Sequence, residues 1–141
     1  MRVPLAVIAT LLLSVLLASP DARADCNHPP VINPNAPVET DAPTTTIDCY
    51  QVALPAGQRV SVAIAGAKND AVFAVFAPGW TASCNAAEDC DVNGDQLSDD
   101  NVTRWSDTAP AAGAYLIVVD NSKSDADYRL TVELQIPGAK R

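Results

Sequence analysis

Positions 128–136 carry the clearest rhythm in the chain: Tyr128, Leu130, Val132, Leu134 and Ile136 alternate with Arg129, Thr131, Glu133 and Gln135. A period of two marks a strand with one face on a core and the other in water. The same rhythm runs through Tyr50, Val52 and Leu54, and again through Val60, Val62 and Ile64. Between them, Pro55-Ala56-Gly57-Gln58 predicts a turn joining two antiparallel strands. Ala71 to Ala77 is an apolar run with Phe73, Val75 and Phe76, stopped by Pro78-Gly79, which predicts a strand buried on both faces. Tyr115 to Val119 predicts a second apolar strand after a turn at Pro110 to Gly113, and Val102 to Trp105 a short one. Thr81 to Asn101 and Asp120 to Asp127 are polar, acidic and poor in β-branched residues, so both are expected to be loops. The fold expected is all-β: a small antiparallel β-sandwich over residues 44–136, with a C-terminal tail at 137–141.

Two segments precede that domain. Residues 25–43 carry Pro29, Pro30, Pro34, Pro37 and Pro43. Proline lacks a backbone donor and fixes φ, so this stretch is expected to be an extended arm on the surface, with His28 solvated within it. Met1 to Ala24 has Arg2, then an apolar stretch from Val3 to Ala18, then the small-x-small ending Ala22-Arg23-Ala24. This pattern is that of a cleaved secretory signal peptide, too short for a membrane span of about 20 apolar residues. Asp25 and Arg23 before Cys26 exclude a lipid-anchor motif. The expected location is periplasmic or secreted, without membrane insertion after cleavage.

Export changes how the cysteines are read. Cys26, Cys49, Cys84 and Cys90 are even in number and form no Cys-x-x-Cys pair, so disulfides are the expectation. Of the three pairings open to four cysteines, the one joining sequence neighbours, Cys26–Cys49 with Cys84–Cys90, is favoured. Loop closure would then contribute about 3.4 and about 2.4 kcal/mol. The whole chain has 9 Lys+Arg against 17 Asp+Glu, a net charge of −8. Removing residues 1–24, which hold Arg2, Arg23 and Asp21, leaves 7 against 16, or −9. Nucleic acid is therefore not an expected partner, because it requires a basic surface to displace its counterions.

Candidate chemistry is sparse. Asp91, Asn93, Asp95 and Asp99 fall at the first, third, fifth and ninth places of a calcium loop, but the twelfth is Val102 and the closing carboxylate is missing. A solvated acidic loop is the favoured reading and weak calcium binding the alternative; no other cofactor is expected. The acidic side chains sit in polar loops, Ser61, Ser83 and Ser98 have no basic neighbour, and the single His lies in the arm, so the chain is not expected to be an enzyme. Trp80 and Trp105 flank the acidic stretch and are candidates for core packing or for partner contact.

Three stretches resemble a known family: residues 50–62 (Tyr-Gln-Val-Ala-Leu-Pro-Ala-Gly-Gln-Arg-Val-Ser-Val), residues 110–119 (Pro-Ala-Ala-Gly-Ala-Tyr-Leu-Ile-Val-Val) and residues 128–132 (Tyr-Arg-Leu-Thr-Val). They are similar to the bacterial pre-peptidase C-terminal domain, and in their order to the periplasmic inhibitors of goose-type lysozyme. The resemblance implies a jelly-roll-like sandwich that acts by binding, with a protein or cell-envelope glycan partner. For the inhibitor alternative, that partner is a cationic lysozyme, drawn by the acidic surface. A calcium-binding accessory domain is a further alternative. For that inhibitor reading the loop containing Ala112, Gly113 and Tyr115 is the expected binding element, and Trp80 and Trp105, at the two ends of the acidic stretch, are the other candidate binding residues. The inhibitors carry Ser-Gly where this chain has Ala112-Gly113, so a hydroxyl is missing from that loop, and the Cys84 and Cys90 stretch is not part of the resemblance.

Overall fold

The computed structural model describes residues 26–39, 47–66, 71–86, 89–121 and 127–135. The expected signal segment, positions 25 and 40–43 of the arm, the expected start of the domain at 44–46, Ile136 and the tail at 137–141 lie outside them. Among the described residues nine strands run in order: β1 (Val38–Glu39), β2 (Ile47–Leu54), β3 (Arg59–Gly66), β4 (Val72–Phe76), β5 (Thr81–Ala86), β6 (Asp89–Asn93), β7 (Arg104–Thr108), β8 (Gly113–Asp120) and β9 (Tyr128–Leu134). They form a four-stranded sheet in the order β1-β9-β3-β7, a three-stranded sheet β2-β8-β4 and a hairpin β5-β6, all with antiparallel pairing. Among the described residues no helix is long and apolar enough to cross a membrane.

The three-stranded sheet is the middle layer, because its strands are apolar on both faces. Tyr50, Val52, Leu54, Phe73, Val75, Tyr115, Ile117 and Val119 face the four-stranded sheet, where they meet Val60, Val62, Ile64, Tyr128, Leu130 and Val132. The alternate residues Cys49, Ala74, Phe76, Leu116 and Val118 form a second cluster on the far face. The two-sided burial expected of β4 is thus observed, and β8 shares it.

The structure departs from two expectations. β2 and β3 do not pair with each other. β2 pairs along its whole length with β8, Val52 opposite Tyr115, while β3 pairs with β9 and β7. The turn at Pro55 to Gln58 therefore carries the chain from one sheet to the other, and the two apolar faces meet across the core instead of lying side by side. The stretch 81–101 is not simply a loop, since β5 and β6 form a hairpin within it. Ala82, Cys84, Cys90 and Val92 alternate inward against Phe76 and Leu116, so small residues supply the inner face where a strand is normally marked by large ones.

Both open sides of the sandwich are closed by straps. The arm is extended but does more than lie on the surface. Pro30 O accepts from Gln51 N at 3.0 Å and Ile32 N donates to Gln51 O at 2.9 Å, adding an edge to β2. Asn35 N then donates to Val132 O at 2.6 Å and β1 pairs with β9, which joins the arm to the other sheet. Residues 95–103 close the opposite side. Leu97 N donates to Val75 O, Phe73 and Val102 exchange both backbone bonds, and Ile64 N donates to Thr103 O at 3.0 Å. Buried Ser98 completes that edge, its Oγ accepting from Val75 N at 2.9 Å.

Candidate functional site

Three turns free of charged residues converge at one end of the sandwich. Pro55-Ala56-Gly57-Gln58 is joined to the loop before β8 by Gly57 N to Ala109 O and Ala109 N to Gln58 O, both 2.8 Å. Gly113 at the start of β8 has φ 147°, and a Cβ there would lie 2.9 Å from Pro78 Cβ, so only glycine lets the Pro78-Gly79 turn close onto this loop. Trp80 Nε1 donates to Ala114 O at 3.0 Å, fixing the third turn to the same loop. Pro55, Ala56, Gly57, Pro110, Ala111 and Ala112 are exposed on this apex.

Tyr115 holds the loop from beneath. It is fully buried, and its hydroxyl donates to Ala111 O at 2.5 Å while accepting from Ala111 N at 3.2 Å. A tyrosine bonded to backbone a few residues upstream fixes a corner in β-sandwiches generally. The loop 109–114 is thus a preorganised projection, which lowers the ordering cost of binding. Of the sequence candidates, Ala112 and Gly113 lie at the apex, Trp80 is half-buried at its flank and Tyr115 supports it from the core. Trp105 is elsewhere, half-buried on β7 against the inner core. The apex turns at 55–57 and 78–79 were not anticipated as site residues; the signal available was that three Pro- and Gly-bearing turns lack charge in a strongly acidic chain.

The acidic stretch has a different geometry. Asp91 and Asn93 lie exposed on β6, and Asp95 and Asp99 are exposed in the strap after it. Among the described residues, the one group of three or more His, Cys, Asp or Glu side chains with ligand atoms within 4.8 Å of one another is that of Cys26, Cys84 and Cys90, whose sulfurs are disulfide-bonded. The side chains of Asp91, Asp95 and Asp99 therefore do not converge on a common point. An open groove of about 310 Å³ lies between Asn35 and Pro37 of the arm and Arg129, Thr131 and Glu133 of β9.

A buried polar chain links the two sheets. Tyr128 donates to Asp48 Oδ2 at 2.7 Å, which leaves Tyr50 to donate to the Tyr128 hydroxyl at 2.6 Å. Burial pushes the Tyr50 phenol up to about 12, with the Asp48 charge adding to the rise and the bond to Tyr128 opposing it. Burial raises Tyr128 further, aided by the charges of Tyr50 and Asp48. All three residues are sealed in the core, so this chain is structural cement and not a solvent-facing acid or base.

The family model for the bacterial pre-peptidase C-terminal domain matches residues 46–132. The chain belongs to that family. The matched span runs from β2 into β9 and includes every apex loop, while the arm lies outside it. Among solved structures, the chain is similar to Aeromonas hydrophila PliG, a periplasmic lysozyme inhibitor of g-type lysozyme. The identity is 27% over 75% of this chain and 96% of that one, with a TM-score of 0.50. It is also similar to the pre-peptidase C-terminal domain of a Bacillus anthracis collagenase, at 13% identity over 74% of this chain and 93% of that one, TM-score 0.46. Salmonella Typhimurium PliG matches at 21% identity over 75% of this chain and 98% of that one, TM-score 0.44. No curated protein matches. The two disulfides are those favoured from the sequence, Cys26–Cys49 and Cys84–Cys90.

Proposed function

We propose that this pre-peptidase C-terminal domain is an exported, non-catalytic binding module that docks on a protein partner through its uncharged apex, with a g-type lysozyme as the partner to test first. The observation that carries this reading is the loop 109–114, fixed by the Tyr115 hydroxyl from below, by Pro78 against Gly113 and by Trp80 at Ala114. A rigid projection of small residues fits a cleft at low entropic cost. The net charge of −8 supports attraction of a cationic enzyme, and the likeness to the Aeromonas inhibitor supports the lysozyme assignment. The N-terminal pattern and the two disulfides support export.

The test measures goose-type lysozyme activity on cell walls with increasing protein, at low and at moderate salt. Saturable loss of activity near stoichiometric amounts at both salt levels is the expected result, because contacts desolvated inside a cleft are screened little by salt. Inhibition confined to low salt, or none, would overturn the lysozyme reading. Gly113→Val, which drives the loop away from Pro78, is expected to abolish inhibition while the far-ultraviolet spectrum of the sandwich persists.

A further inference from the structure

The two disulfides are neighbours in space. Sγ of Cys26 lies within 4.8 Å of the Sγ atoms of both Cys84 and Cys90, so sulfurs from the arm, β5 and β6 form one cluster. The two bonds differ in access: Cys26 and Cys49 are buried, at 1% and 0% exposure, whereas Cys84 and Cys90 are only partly buried. The residue after Cys26 ties the arm to β5. Asn27 Oδ1 accepts from Cys84 N at 2.9 Å and Asn27 Nδ2 donates to Cys84 O at 3.2 Å, which holds Cys84 beside Cys26.

We infer that Cys84–Cys90 is a thiol-exchange site, open to a dithiol reductant, from which the exchange passes to Cys26. A thiolate of the reductant attacks Cys90 Sγ, forming a mixed disulfide there and expelling Cys84 as a thiolate. The Cys84 thiolate attacks Cys26 Sγ; a Cys26–Cys84 bond forms, the Cys26–Cys49 bond breaks, and the electron pair leaves on Cys49, which takes up a proton. The reductant's second thiol then releases Cys90, leaving the reductant oxidised and the protein with one disulfide and two thiols, at Cys49 and Cys90. Disulfide exchange proceeds through this kind of mixed intermediate, and its rate depends on thiolate access to the attacked sulfur. The buried bond, which no outside thiol reaches directly, is thereby broken through its exposed neighbour. The arm's covalent link moves from β2 to the hairpin. This inference is independent of the lysozyme reading.

The oxidised protein is treated with one equivalent of dithiothreitol, sampled over time, quenched in acid, alkylated and digested for mass spectrometry. The expected species is a peptide pair linked Cys26 to Cys84 with alkylated Cys49 and Cys90. Alkylation confined to Cys84 and Cys90, with Cys26–Cys49 intact at every time, would overturn the proposal. In Cys90→Ser the single leftover thiol is expected to be shared between Cys84 and Cys49, and a thiol found at Cys84 alone would overturn it equally. Asn27→Ala is expected to slow the transfer about fivefold, the loss of two neutral positioning bonds. An unchanged rate would overturn the positioning role of Asn27.

Discussion

The two straps that close the sandwich solve one problem with different means. Each carries two apolar plugs seated on the core: Ile32 and Val38 in the arm, Leu97 and Val102 in the segment 95–103. Each bends at an asparagine in the left-handed region, Asn35 at φ 65° and Asn101 at φ 60°, a conformation asparagine tolerates better than most residues. The means of attachment then diverge. The arm is rich in proline, has few donors to give, and is pinned covalently at Cys26–Cys49. The acidic strap has its donors and is held by a row of backbone bonds to β4 and β3, with Ser98 filling the position where the ladder departs from regular pairing. A segment with few donors gains from a covalent anchor, and a segment with a full set of donors is held by its register.

The largest expected effect comes from removing the covalent anchor. Cys26→Ala with Cys49→Ala is expected to lower unfolding free energy by about 3.4 kcal/mol, the loop-closure contribution, in urea titration. A loss below about 1 kcal/mol would show that the plugs and backbone bonds hold the arm unaided. Next is the buried chain of Tyr50, Tyr128 and Asp48. Tyr50 is raised to about 12 in the folded protein against 10.0 for the free phenol, so the folded state retains the proton longer. Its stabilising contribution is full below pH 10 and is lost as the pH rises toward 12, a loss on the order of 2 kcal/mol. Thermal unfolding from pH 8 to 12 is expected to show this slope, flattened in Tyr50→Phe.

Single plugs sharpen the contrast further. Leu97→Ala and Ile32→Ala are each expected to cost about 1.5 kcal/mol, values for half-buried aliphatic side chains. Their local consequences differ: Leu97→Ala frees a strap without a covalent pin, so amide exchange at Phe73 and Val75 accelerates, whereas in Ile32→Ala the amide of Gln51 stays protected. Equal acceleration in both would break the distinction between the straps. Smaller still, Asn35→Gly is expected to cost about 1 kcal/mol, because Asn35 Oδ1 accepts from Leu134 N at 3.1 Å, while Asn101→Gly stays within about 0.5 kcal/mol. The smallest effect is that of calcium. Calorimetry is expected to show affinity no tighter than millimolar, since the acidic side chains of the strap do not converge. Micromolar binding abolished by Asp95→Ala would make the acidic strap a metal-pinned counterpart of the disulfide-pinned arm.

What the sequence determined by itself was local and periodic. Alternation at 50–54, 60–64 and 128–134 and the apolar runs at 72–76 and 115–119 mark β2, β3, β9, β4 and β8, because a strand's faces are written in its own residues. The all-β class was legible for the same reason, the turns from their Pro and Gly residues, and the two disulfides from four cysteines behind an export pattern. Pairing was not. A turn of the form Pro-Ala-Gly-Gln serves a hairpin or a crossover equally well, and only the fit of β2 against β8 over eight residue pairs sent β2 and β3 into different sheets. The hairpin β5-β6 was invisible because three of its four inner-face residues are Ala82, Cys84 and Cys90, with Val92 the single large one, and they become partly buried only when Phe76 and Leu116 are beneath them. The candidate site divides the same way. Ala112 and Gly113 stand out in the sequence, but tertiary structure alone brought Pro78 onto Gly113, sank Tyr115 into the core as the loop's support and moved Trp105 to another layer. Contacts between distant segments depend on which surfaces complement one another in three dimensions, and a one-dimensional pattern does not record that.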